Sequence, residues 1–193
     1  MLSEIRPAIV STVLFTLLLG LAYPLAITGI SKAVFPFQAE GSLVRDANGK
    51  VIGSALIGQN FAKPEYLHPR PSAAGNGYDA SNSSGSNYGP LSADLLKRVK
   101  GDAPALRAST GQQEIPDDAI TTSASGLDPD ISPAYALLQA DRIAKARGLS
   151  PDAVTAVIDA HVEQPFLGFI GQPRVNVLKT NLALDAKASK AHA

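Results

Sequence analysis

Residues 7–31 run for 25 positions without a charged side chain, and no other feature constrains this chain as strongly. A hydrocarbon core is crossed by about 20 apolar residues in helical form, so the run is long enough to span one. Its polar members are Ser and Thr, whose hydroxyls can bond to the helix's own carbonyls. Pro24 removes one backbone donor and predicts a kink. Gly20, Ala22 and Pro24 suit close contact with another membrane helix. The alternative is a cleaved secretory signal, with a short start, one Arg and an apolar core. Against it, the run is longer than the roughly 7–15 residues of such a core. Neither Ala22-Tyr23-Pro24 nor Pro24-Leu25-Ala26 makes a small-x-small cleavage site. The reading is an uncleaved anchor over residues 1–35.

Which side of the membrane carries the rest is left open by the flanks. Arg6 and the α-amino group precede the run, and Lys32, Arg45 and Lys50 follow it. That count leans towards a cytoplasmic domain. A six-residue tail with its positive charge ordinarily stays inside, which would place the domain outside.

The chain balances 17 basic against 17 acidic residues, and Glu4 and Arg6 remove one of each, so the region after the anchor is also neutral. Nucleic-acid binding needs a net basic face and is disfavoured. The absence of cysteine excludes disulfides, thiolate metal sites and cysteine nucleophiles. His68, His161 and His192 are scattered and form no metal-ligand spacing.

Residues 36–185 are expected to form one soluble α+β domain, with a low-complexity, disordered tail at 186–193. Residues 42–45 and 51–54 flank Asn48-Gly49, a strong hairpin signal, and residues 55–58 continue the strand reading. In residues 72–89, 12 of 18 positions are Ser, Gly or Asn. Such a segment carries little apolar surface with which to order itself. It is either a mobile surface loop or one that orders against a partner. Residues 91–100 read as a short helix ended by Gly101. Ser132-Pro133 and Ser150-Pro151 are N-cap signals, and Gly148 is a stop between them, predicting an αα-hairpin. Residues 174–184 read as a strand.

No phosphate-binding loop, strand-bounded dinucleotide fingerprint or nucleophile elbow occurs in the chain. The Asp-Lys-Thr-Gly phosphorylation sequence is also missing, so no aspartyl-phosphate can form in the P-type manner. Asp117-Asp118 and Asp128-x-Asp130 invite an acid/base reading, but adjacent carboxylates in a Pro-containing loop are more often solvated or capping. His161 lies on an apolar helix face and reads as a packed histidine.

What remains is a set of glycine-rich and polar segments: Gly58-Gln59-Asn60-Phe61, His68-Pro69-Arg70-Pro71-Ser72, Gly85-Ser86-Asn87-Tyr88-Gly89-Pro90, residues 125–133, and Pro173-Arg174-Val175-Asn176-Val177-Leu178. In this order, behind one anchor, they resemble the C subunit family of the bacterial potassium-importing Kdp P-type ATPase. The most specific pieces are Arg70-Pro71-Ser72-Ala73, Ser86-Asn87-Tyr88-Gly89-Pro90, Ser125-Gly126-Leu127-Asp128-Pro129 with Ile131-Ser132-Pro133, and Arg174 to Leu178. A departure is Ser84-Gly85-Ser86-Asn87-Tyr88, where that family tends to carry Gly-Gly-Ser-Asn-Leu.

The resemblance implies a non-catalytic accessory subunit of the plasma (inner) membrane. Its partners would be the channel-like A subunit, the ATP-hydrolysing B subunit, the small F subunit and the bilayer, with potassium as the transported ion. It also implies help to the B subunit in binding ATP, a role that falls on Ser123, Ser125, Gly126 and Gln139. Hydroxyls before a free helix N-terminus are compatible with an anion. The same residues also read as a helix cap and a surface glutamine. Partner contacts would fall on Gly20, Ala22, Pro24, Arg70, Asn87, Tyr88 and Asn176. The expected location of the domain is extracytoplasmic, because translocation of a large C-terminal domain behind a single uncleaved signal-anchor is ordinary. No cytoplasmic ATP is then within reach, and the domain would instead dock on the channel-like subunit.

Overall fold

The computed structural model describes residues 2–46 and 48–191. The chain divides into two compact units, Met1–Ile52 and Gly53–Ala193. In the first, one continuous helix, Ile5–Val34, is long and apolar enough to cross a membrane, with none of its apolar window buried. It consists of α1 (Ile5–Leu17), a wide π-type turn over Leu18–Ala22, and α2 (Tyr23–Val34). Pro24 has no N–H and its ring crowds the carbonyl four residues back, so an ordinary helical turn is disfavoured there. The widened turn resolves this: the Tyr23 N–H reaches back five residues to the Leu18 carbonyl. A short helix α3 (Pro36–Ala39) follows, then strands β1 (Leu43–Arg45) and β2 (Val51–Ser54). These two strands pair around the expected Asn48-Gly49 turn. The Asp46 carboxylate stitches it, accepting from the N–H groups of Asn48 and Lys50 at 2.9 Å each.

The second unit carries α4 (Ala93–Thr110), β3 (Asp130–Ile131), α5 (Pro133–Leu138), α6 (Ala140–Arg147), α7 (Pro151–Ala160), β4 (Val162–Glu163), β5 (Arg174–Asn176) and α8 (Val177–Ala191). β5 lies between β3 and β4 in a three-stranded antiparallel sheet. The class is α+β, as expected. Both helix starts are capped as the sequence predicts: the Ser132 and Ser150 hydroxyls accept from the N–H groups of Tyr135 and Ala153. Gly148 closes α6 at φ +66°.

The core is built from Ile131, Tyr135, Ile143, Val154, Ile158, Val175 and Leu184, with Leu67 fully buried among them. Each such side chain contributes about 1.5–3 kcal/mol on burial. Basic residues of α6 bind the turn before Leu67 by its carbonyls. Arg142 donates to Tyr66 O at 3.0 and 3.1 Å and also reaches Pro64 O. Arg147 donates to Glu65 O and pairs with Asp185 at 2.7 Å.

Several expectations are corrected. Residues 55–58 turn rather than extend the strand, because the Ala55 carbonyl accepts from Asn176 and the Gly58 N–H donates to Leu127 O. The helix after Ser92 does not stop at Gly101 but runs to Thr110, since the residue that takes up left-handed geometry is Gly111, at φ +71°. The helix from Ser132 is not continuous. It breaks at Gln139, whose N–H bonds three residues back to Ala136 O while its side chain is drawn aside. Residues 177–184 are helix, not strand. Asn176 Oδ1 accepts from Lys179 N–H and starts α8, so Val177, Leu178 and Leu184 fall on one buried face. Helix α8 extends to Ala191, with Lys187 Nζ bonded to Ala153 O. Positions 192–193, with His192, lie outside the described residues.

Candidate functional site

Four of the motif segments converge on the fifth, within the stretch of residues 121–132. Gly58 approaches so closely that a Cβ there would sit 2.5 Å from Asp128 O. Arg70 pairs with Asp128 at 3.0 Å and reaches Thr121 and the Thr122 carbonyl. Its Nε is buried with no partner among the described residues. Ser72 Oγ donates to Gly126 O at 2.6 Å and accepts from the N–H groups of Ala74 and Tyr78. The Tyr78 hydroxyl donates to Arg70 O, and burial, seconded by Asp128, pushes its pKa upward. Ser84 N–H and Ser83 Oγ both donate to Ser125 O, and Thr122 bonds Ser86. The Ser/Gly/Asn-rich loop is thus ordered by this chain's own 121–128 segment, through backbone groups that composition does not register.

The last motif closes the other side. Asn176 is buried and donates to Ala55 O at 2.9 Å and to Asp130 Oδ1 at 3.1 Å. Arg174 bridges Asp130 and Glu163, and Lys179 joins Glu163 at 2.9 Å. Burial raises the Asp130 pKa against the opposing pull of Asn176 and Arg174. Hydrogen bonding from Lys179, then from Arg174, holds the Glu163 carboxyl low.

Between these segments lies a cleft of about 540 Å³ whose charged lining is Arg70, Asp117, Asp118, Asp128, Asp130 and Arg174. Its carboxylates are largely engaged. Asp118 accepts from both the N–H and the hydroxyl of Ser132, while Asp128 and Asp130 hold the two arginines. Capping and pairing, rather than proton transfer, is what such an arrangement does. No group of three metal-capable side chains occurs among the described residues. His161 is half-buried at the end of α7, with Nδ1 2.7 Å from Val157 O.

The nucleotide candidates fall in two places. Ser123 Oγ accepts from Gly126 N–H and Ser125 Oγ from Leu127 N–H, a tight turn in which Gly126 stands at φ +67°. A Cβ on Gly126 would meet Ser84 O at 2.5 Å. Gln139 lies elsewhere, buried at 5% exposure and not on the surface. Its Oε1 accepts from His68 N–H and Arg142, and its Nε2 donates to His68 O and Tyr135 O. Among the candidate partner residues, Arg70 and Asn176 turn inward, whereas Asn87, at φ +53°, and Tyr88 are exposed. Gly20 and Ala22 fall in the widened turn and Pro24 just beyond it, all exposed.

Two features escaped sequence reasoning. Asn181, at 1% exposure, clips the backbone of Leu67 by accepting from its N–H at 2.7 Å and donating to its O at 3.1 Å. The other is the turn between β4 and β5, where large apolar side chains face solvent. The signal for the second was available: residues 164–173 carry no charge and hold Phe166-Leu167-Gly168-Phe169-Ile170.

The arrangement of motifs around residues 121–132 has a family attached to it. The model of the family described as KdpC, K+-transporting ATPase, c chain, matches residues 5–186. The chain belongs to the KdpC family. A potassium-transporting ATPase KdpC subunit of Caulobacter vibrioides is 69% identical over 187 residues, covering 97% of this chain and 95% of that protein. The subunit of the same name from Beijerinckia indica is 60% identical over 189 residues, again with 97% and 95% covered. That of Rhodopseudomonas palustris is 50% identical over 202 residues, covering 98% of this chain and all of the relative. The family match takes in both the membrane-length helix and the motif network, so the two units belong to one family pattern.

Proposed function

We propose that this KdpC-family chain is a non-catalytic accessory subunit of an ATP-driven potassium importer, single-pass in the inner membrane, that works by docking and stabilising the assembly. The observation that carries this reading is the convergence of the five family motifs on one internally bonded network. Residues that would otherwise suggest chemistry are spent on holding segments together. The unburied helix Ile5–Val34 supplies the second half of the argument, because an apolar span with no protein cover needs lipid or partner helices around it. The partners in this reading are the channel-like A subunit, the ATP-hydrolysing B subunit and the F subunit.

Help in ATP binding is the finer part of the proposal, and the geometry favours an indirect form of it. Gln139 has both ends of its amide engaged within the fold. It therefore serves the complex through the position of the His68 backbone and not through a phosphate. Ser123, Ser125 and Gly126 likewise act through the turn they form. In the full chain co-expressed with its partner subunits, Gly20→Leu combined with Ala22→Leu is expected to lower recovery of the complex while the chain still inserts. Unchanged recovery would remove the helix from the contact.

The side of the membrane decides between direct and indirect ATP effects. The chain has no cysteine, so a single Ser81→Cys in the exposed part of the 72–89 loop gives a clean probe. Reaction with a membrane-impermeant maleimide in intact cells is the expected result, and it rules out contact with cytoplasmic ATP. Protection of that cysteine would favour the direct role.

A further inference from the structure

Among the described residues of the second unit, the β4–β5 connection points four large apolar side chains outward from a folded, hydrogen-bonded turn. Phe166, Leu167, Phe169 and Ile170 are 70%, 69%, 76% and 52% exposed. They are held in a fixed turn. Phe166 and Ile170 exchange both backbone hydrogen bonds, at 3.0 and 2.9 Å, and the Gly168 N–H closes on Pro165 O at 2.9 Å. Leu167 stands at φ +54° and Gly168 at φ +80°. The first of these is informative. A left-handed residue in such a turn is ordinarily Gly, Asn or Asp, and a leucine there carries strain without gaining any burial. The sequence keeps an apolar side chain at the tip where a polar one would suit the backbone better.

From these observations we infer that the tip formed by Phe166, Leu167, Phe169 and Ile170 is a preformed docking finger that seats in an uncharged apolar pocket on another protein subunit of the complex. The inference rests on the accessory-subunit reading above. Four observations select this occupant. The tip and its approaches, residues 164–173, contain no charge. The nearest charges form a neutral ladder of two cations and two anions, with Arg174 paired to Asp130 and Glu163, and Lys179 to Glu163. That favours an uncharged receiving surface and offers no cation for anionic headgroups. The tip also lacks the Trp, Tyr, Lys and Arg that anchor elements at a bilayer surface. Finally, the four side chains offer on the order of 500 Å². That is short of the roughly 800 Å² per partner that a self-standing dimer needs. A second copy of this chain is therefore a poor fit, whereas an anchor point inside an assembly already held by a membrane helix is a good one. A rigid turn with two phenylalanines loses little freedom on seating, as a small hot spot requires.

The test uses the full chain co-expressed with the other ATPase subunits, affinity-captured through a tag on one of them. Phe166→Ser with Phe169→Ser is expected to reduce recovery of this chain in the complex by about tenfold or more. The thermal midpoint of the purified full chain in detergent should be unchanged. Phe166→Leu with Phe169→Leu should restore much of the recovery. A photo-crosslinking amino acid placed at Leu167 should give an adduct with one of the co-expressed subunits. Retained recovery of the double serine variant would overturn the inference, as would crosslinks only to lipid, only to a second copy, or to nothing. If the wild-type chain itself is not captured, the accessory reading fails first, so the two failures are distinguishable.

Discussion

Two parts of the second unit invert the usual rule of burial in opposite directions. In the interior, polar side chains are enclosed: Gln139, Asn176, Thr180 and Asn181 are all buried. At the β4–β5 turn, phenylalanine, leucine and isoleucine lie outside. The buried amides cost little because every polar end is matched, two of them by copying the pattern of a β-bridge onto a single residue's backbone. The exposed tip has no such compensation within the fold. The contrast teaches that burial here follows the matching of hydrogen bonds and not the polarity of the residue, and that the apolar side chains of the tip are left facing solvent.

Substitutions should separate the two regions sharply. Asn181→Ala strands the buried N–H and carbonyl of Leu67 and is expected to cost about 3 kcal/mol, read as a lower thermal midpoint of the full chain in detergent. Gly126→Ala forces a methyl against Ser84 O at a left-handed position. It should cost about 2 kcal/mol by the same measurement and loosen the 72–89 loop towards protease. Ser132→Ala removes the cap of α5 and the bond to Asp118, for about 1 kcal/mol.

A smaller effect is graded by pH. Burial, reinforced by Arg142, depresses the His68 pKa. The unfolded chain then binds a proton near pH 6.5 that the folded chain resists, so stability should fall as pH drops below that value. His68→Gln should flatten this part of the midpoint-versus-pH curve. An unchanged slope would assign the acid sensitivity to other groups. The smallest effect belongs to the finger, where Phe169→Ser should leave stability within about 0.5 kcal/mol. A loss comparable to that of Asn181→Ala would mean that the tip is core after all, and the contrast would collapse.

Legibility in the sequence follows the range of the interactions. The hairpin at Asn48-Gly49 and the caps at Ser132, Gly148 and Ser150 are decided within a few residues and could be read directly. The helix end after Ser92 was misplaced because Gly101 and Gly111 look alike until one adopts positive φ. The strand reading of 177–184 failed for a similar reason: its apolar residues fit either period, and the deciding bond is the cap from Asn176. The 72–89 loop and Gln139 were least legible, since what fixes them comes from about 40 to 70 residues away and mostly through backbone groups. Family resemblance singled out segments that come together in the fold without saying what each does, and for Gln139 the structure adds where its hydrogen bonds go.

The widened turn at Leu18–Ala22 has a consequence for the anchor as well. One extra residue in a helical turn rotates everything after it by about 100° relative to an uninterrupted helix. A stripe of side chains along one face of α1 therefore does not continue along α2. The span presents two rotational phases in series, so a single helix can lie against different neighbours in its two halves.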